Sequence, residues 1–289
     1  MTLPAPALLR AALLLLSLCV PTSAIAQGAE LLNVVLVRAP GEAQPSLLGA
    51  WRAGRWVPAR SDLTRRGGSQ PYRQYPLGGR ASTVTGSPAE SMGEPCADTY
   101  QVTLSPDVPA TAFTVLTTST RPFQPRPVTS LPTTNATYQR IVRQELIRRG
   151  VRTPVVTITA LIRADLDGNG TQEVIIEASR FQQRGGNFPP PTGLPGDYSL
   201  LLLRHVAGGK AMTTVLGEYV APPTPWSPDS TAPMPLAGLY RLAGLADLNG
   251  DDRLELITYG AYYEGDAFAA QEWTPAGGLK VRLETGCGV

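Results

Sequence analysis

Ala164-Asp165-Leu166-Asp167-Gly168-Asn169 returns, at an offset of 82 residues, as Ala246-Asp247-Leu248-Asn249-Gly250-Asp251. A repeat of this kind constrains a fold strongly, because each copy must be one supersecondary unit that buries its apolar face against a neighbour. Ala207-Gly208-Gly209 is likewise answered by Ala276-Gly277-Gly278, at an offset of 69. The difference of 13 residues matches a Pro/Gly-rich insertion within 183–196 of the first copy. Each copy then reads strand, acidic loop, strand, variable loop, strand, Gly-Gly turn, strand. The copies cover about 155–220 and 238–289, with a Pro-rich separator at 221–235. Four strands per unit is the size of a propeller blade or a small antiparallel sheet.

The rest of the chain fits a mainly β protein of antiparallel, blade-like sheets with one helix. Charged residues are few while Gly (29) and Pro (28) are many, which favours short strands and turns over long helices. An N-terminal β region is expected over 27–119. It contains a buried strand at 31–38, a hairpin at 47–57 turning at Ala53-Gly54, and strands at 99–104 and 112–118. The hairpin is a candidate remnant of a third repeat. Residues 120–150 read as a Pro-punctuated linker and a helix. Thr134 or Asn135 caps that helix, Tyr138, Ile141, Val142 and Leu146 form its apolar stripe, and Gly150 ends it. Arg140, Arg143, Arg148 and Arg149 fall on or near its polar side, a solvated surface or a basic face for an anionic polymer. Residues 151–289 hold the two repeats.

The first 26 residues set the compartment. Arg10, an apolar run from Ala11 to Val20, and Ala24-Ile25-Ala26 have the order of a secretory signal peptide. The run is too short to cross roughly 30 Å of hydrocarbon, and no other segment is longer, so a soluble secreted, periplasmic or cell-envelope protein is expected. An uncleaved anchor and lipidation at Cys19 are the alternatives. Without residues 1–26 the chain carries 24 Lys+Arg against 23 Asp+Glu, since only Arg10 is lost. That balance gives no electrostatic footprint for nucleic acid. Cys96 and Cys287 remain, and in an oxidising compartment they are expected to pair; two separate thiols are the alternative.

The acidic loops carry the chemistry. Asp165, Asp167, Asn169 and Glu173 stand at loop positions 1, 3, 5 and 9. Asp247, Asn249, Asp251 and Glu255 stand at the same positions of the second loop. Calcium takes six to eight oxygens at about 2.3–2.6 Å, and alternate residues of a tight loop can turn oxygens onto one point. The position-7 carbonyls, of Thr171 and Arg253, can add another. An EF-hand needs a bidentate Glu at position 12 and flanking helices. Here that position is Ile176 or Thr258, within Val174-Ile175-Ile176 and Leu256-Ile257-Thr258, which favour strand. The loops therefore belong to a β framework, although Asp/Asn/Gly strings also make turns that hold no ion.

Asp165-x-Asp167-Gly168-Asn169-Gly170-x-x-Glu173-Val174 resembles the calcium loop of FG-GAP/VCBS-type repeats, which form blades in integrin-α-like propellers. The resemblance covers about 156–180 and 240–260 closely. It implies structural calcium in both loops. Position 9, usually Asp in that family, is Glu here, Asp252 replaces the glycine found at Gly170, and the Phe-Gly and Gly-Ala-Pro signatures are missing. Two or three units also do not close a propeller of four to eight blades.

Catalytic constellations are scarce. His205 is the single histidine, read as an exposed residue at a strand end, and no Gly-x-Ser-x-Gly elbow accompanies it. One His and two paired Cys do not make a zinc site, and no P-loop or dinucleotide fingerprint follows a strand. Glu177, Glu264 and Asp266 follow the loops and are the candidate carboxylates of a glycan or peptide hydrolase. Tyr259, Tyr262, Tyr263, Phe268 and Trp273 are either sugar-stacking rings or core and edge residues of the last sheet. The expectation is an exported calcium-binding module with a protein or glycan ligand, with the hydrolase as alternative.

Overall fold

The computed structural model describes residues 33–64, 68–183 and 188–288. The signal-peptide segment, 1–26, lies outside the described residues, as do residues 31 and 32 of the first expected strand. The fold is mainly β with one α-helix, its sheets are antiparallel, and one of them curls into a half-barrel.

The N-terminal region supplies β1 (Asn33–Arg38), β2 (Ser46–Arg52), β3 (Arg55–Pro58), β4 (Gln70–Pro76), β5 (Ser82–Gly86), β6 (Glu90–Ser91), β7 (Tyr100–Gln101), β8 (Leu104–Ser105) and β9 (Thr114–Thr117). They form one nine-stranded sheet in the order β6-β7-β2-β1-β9-β4-β5-β8, with β3 paired to β2. The β2–β3 hairpin turns at Ala53 and Gly54, both at positive φ. It belongs to this larger sheet, and among the described residues no third four-stranded unit forms around it.

After β10 (Val128–Ser130) and α1 (Ala136–Arg148) come the repeats. The first is β11 (Ile158–Ala164), β12 (Glu173–Arg180), β13 (Tyr198–Ala207) and β14 (Lys210–Val220). The second is β15 (Leu239–Ala246), β16 (Glu255–Tyr262), β17 (Gly265–Thr274) and β18 (Gly278–Gly288). Each is an up-and-down antiparallel meander, as the repeat implies, and β10 extends the first to five strands. The segment read as a linker is therefore structural. Val128–Ser130 pairs with Ile162–Ala164, and Phe123 is buried with its ring stacked on Tyr75 at 3.8 Å.

Burial on both faces explains the unbroken apolar runs. Leu201, Leu203 and Ile175 pack against Leu242, Leu245, Leu256 and Trp273 of the second repeat. Leu200, Leu202, Val174 and Ile176 point the other way, onto Val142 and Leu146 of α1. Successive strand residues face opposite sides, so a sheet covered twice needs apolar residues at every position. The second repeat's other face packs Ile257, Tyr259, Phe268 and Leu283 against Val35, Val37, Leu48 and Val115 of the nine-stranded sheet. The layers run helix, first repeat, second repeat, nine-stranded sheet. Leucine-sized side chains each add about 1.5–3 kcal/mol when fully buried, so these shared interfaces tie the layers together.

Asn135 caps α1 by accepting from the Thr137 N–H, and Gly150 follows the helix at φ 90. Its basic side is partly committed. Arg149 pairs with Glu145 and with Glu218 of β14, and Arg143 donates to the Pro154 carbonyl. Cys96 and Cys287 form the expected disulfide across 191 residues, Cα–Cα 5.4 Å. It joins the loop between β6 and β7 to the last strand. Among the described residues no helix is long and apolar enough to cross a membrane.

Candidate metal centre

Each acidic loop joins the first two strands of its repeat, β11 to β12 and β15 to β16, and the two are built by the same bonds. Asp165 accepts from the Gly168 N–H at 2.8 Å and the Gly170 N–H at 3.0 Å. Asp247 accepts from Gly250 at 2.6 Å and Asp252 at 3.0 Å. Glu173 returns from the next strand to accept from the Leu166 N–H at 2.9 Å, and Glu255 does the same for Leu248 at 2.7 Å. Thr171 donates its N–H to Asn169 and Arg253 donates its own to Asp251. Asn249 accepts from the Asp251 N–H, as Asp167 does from Asn169. Position by position, the carboxylates take up the backbone donors that a tight loop leaves unpaired.

The first loop concentrates charge. Asp165, Asp167 and Glu173 bring carboxylate oxygens within 4.8 Å of one another, with Asp165 and Glu173 buried. The Asn169 amide donates to Asp167 at 2.9 Å. Glu173 is pushed up to about 7 by burial, reinforced by Asp167 and Asp165. Three carboxylates packed this closely repel one another, and a divalent cation would offset that repulsion. These oxygens, with the exposed Asn169 and Thr171 beside them, fit a hard cation's donor set.

The second loop is less concentrated. Asp247, Asp251 and Glu255 are not gathered to the same closeness, and Asp251 is exposed. Glu255 is fully buried, leaves Oε1 without a hydrogen bond, and is pushed up to about 9, chiefly by burial. Asp247 is raised as well, again first by burial. Asp252 takes φ 65 where the first loop has Gly170 at φ 84, so the second loop holds a side chain in the left-handed region that glycine occupies freely.

Two arginines of the Pro-punctuated segment brace the loops, a feature the sequence reading missed. Arg126 donates to the Asp165 carbonyl at 2.8 Å and the Leu166 carbonyl at 3.3 Å. Arg121 donates to the Gly250 carbonyl at 2.8 Å, passing so close that a Cβ at Gly250 would collide with it. The loops also meet each other, through the Leu254 N–H and the Leu166 carbonyl at 2.9 Å. A pair of arginines five residues apart in a Pro-rich segment was the available signal, and nothing local linked it to loops about 40 and 130 residues away.

The candidate hydrolytic carboxylates do not assemble. Glu177 is buried and ties β12 to β15, accepting from Arg241 at 3.0 Å, the Leu242 N–H at 3.1 Å and Thr159 at 2.7 Å. Glu264 and Asp266 line a different region, beside Glu42. His205 departs from the reading of an exposed strand-end residue. It is half-buried within β13, bonded to Thr214 at 3.0 Å, its ring 4.9 Å from that of Trp273. Tyr259, Phe268 and Trp273 are core, while Tyr262 and Tyr263 stand half-buried at the turn between β16 and β17. Compared with family models, with curated proteins and with solved structures, the chain matches none of them.

Proposed function

We propose that this chain is an exported β-repeat protein whose first acidic loop takes calcium as a structural ion, making it a binding or structural module of the cell envelope or extracellular space. The observation that carries the reading is the convergence of Asp165, Asp167 and Glu173 within 4.8 Å. The shared bonding pattern of the second loop extends it to Asp247 and Glu255 as a weaker site. The likeness of both loops to FG-GAP/VCBS-type repeats supports the choice of calcium, and the Cys96–Cys287 pair supports an oxidising compartment.

Extracellular calcium modules bind with Kd of about 10⁻⁴–10⁻³ M. At about 1 mM calcium such a site stabilises by about 0.4–1.4 kcal/mol, enough to order a loop. The test is thermal denaturation in calcium, in magnesium and in chelator. A rise specific to calcium that disappears in Asp165→Asn supports the proposal. Equal curves in calcium and chelator sink it.

A further inference from the structure

The junction between the nine-stranded sheet and the second repeat holds a cavity of about 250 Å³. Arg38 and Glu42 stand on one wall, with Glu264, Asp266 and Phe268 on the other. Beside it lies an apolar groove of about 530 Å³, with Gly260 and Gly288 in its surface and Tyr240, Tyr262 and Leu236 at its sides. The cavity and the groove share Asp266, Gly286 and Cys287, so they adjoin.

Two features there select a ligand, clustered carboxylates and open apolar surface. Glu42 and Glu264 are exposed and Asp266 is half-buried, with the Tyr259 hydroxyl donating to it. Arg38 is turned to other acceptors: its Nη1 donates to the Ala43 and Val108 carbonyls at 3.0 and 3.1 Å, and its Nη2 to Gln74 at 3.3 Å. None of those three residues lines the cavity. With Arg38 turned away, an occupant has to bring a positive charge for the carboxylates. A basic residue within a polypeptide brings that charge and carries its chain neighbour onto the adjoining groove. The groove adds a requirement for apolar cover, since Leu236 is 47% exposed beside two tyrosine rings.

We propose that the cavity and groove together bind a polypeptide segment in which lysine or arginine neighbours an apolar residue. The cation meets Glu42, Glu264 and Asp266, and the apolar neighbour covers Tyr240 and Tyr262. This site is separate from the acidic loops, and its test runs equally in calcium and in chelator.

The probe is a fluorescein-labelled hexapeptide, GGRLGG, titrated with the full chain and followed by anisotropy. GGELGG is the charge-reversed control, and free argininamide is the small-molecule competitor. GGRLGG is expected to bind with Kd of about 0.01–1 mM and to exceed both GGELGG and argininamide by about tenfold. The double variant Glu42→Gln with Asp266→Asn is expected to weaken it about tenfold at a melting temperature no lower than the parent's. Should that variant melt early, Glu264→Gln, at an exposed position, is expected to weaken binding about threefold. The proposal is overturned if GGRLGG does not bind at about 1 mM, if GGELGG matches it, or if the folded variants bind as the parent does. Argininamide binding as tightly as the peptide would also overturn it, because the groove would then contribute nothing.

Discussion

Arg126 donates from Nε to the backbone carbonyl of Asp165 at 2.8 Å and stands 3.7 Å from the carboxylate of the same residue. The contact fixes the shape of the first acidic loop and also places a permanent positive charge beside the group expected to bind calcium. Arg126→Gln removes both effects. In chelator the variant is expected to lose about 1–2 kcal/mol of stability, through two hydrogen bonds to backbone carbonyls. Its calcium-induced gain is expected to grow by about 1 kcal/mol, the order of a solvent-screened charge contact. Denaturant titrations with and without calcium measure both, and an unchanged calcium gain would separate Arg126 from the ion.

The disulfide closes the molecule from the loop before β7 to the last strand, 191 residues apart. Replacing Cys96 and Cys287 together by alanine is expected to remove up to about 5 kcal/mol, the chain-entropy figure for so long a loop. The melting temperature would then fall by about 10 °C or more. The proposed calcium-induced gain at the first loop should survive in the folded fraction, because the disulfide lies between the β6–β7 loop and β18.

Glu177 offers a choice between chemistry and architecture. It is 2% exposed and holds Arg241 and the Leu242 N–H of the neighbouring repeat. Glu177→Ala is expected to cost about 2–4 kcal/mol by leaving buried partners unpaired. Glu177→Gln, which keeps the shape but not the charge, should cost less. Hydrolytic activity that vanished in Glu177→Gln at unchanged stability would contradict the architectural role.

Asp266 gives a pH dependence with a definite sign. Burial first, then Glu42, raise its carboxyl above the usual 3.8, while the Tyr259 hydroxyl lowers it. The folded chain therefore holds this proton more tightly than the unfolded chain. Stability is lost as pH rises from about 3.8 through the raised value and is not recovered above it. Asp266→Asn is expected to flatten that fall, seen as the difference between the two melting-temperature profiles. Parallel profiles would show that the group does not titrate in this window.

The acidic loop at Asp165–Glu173 and its copy at Asp247–Glu255 were legible because their information is local: ligand types, spacing and flanking β-branched runs lie within about ten residues. The four-strand units were legible from the spacing of the loop and the Gly-Gly turn. Phe123 and Val128–Ser130 were not, since proline punctuation looks the same whether a segment links layers or packs between them. His205 does lie near the end of its strand, but its partial burial was not legible, because the Trp273 ring that covers it comes from the other repeat.

By itself, the sequence determined the repeat, the donor pattern of the loops, the helix with a cap at Thr134 or Asn135, and the candidate cysteine pair, all set by neighbours along the chain or by simple counting. Tertiary structure alone decided which layer covers which, that Arg121 and Arg126 brace loops distant in sequence, and that Glu42 and Arg38 share a cavity with Asp266. Those relations depend on how sheets buried on both faces stack. Apolar runs such as Leu200–Leu203 demand cover on each side without naming the partner.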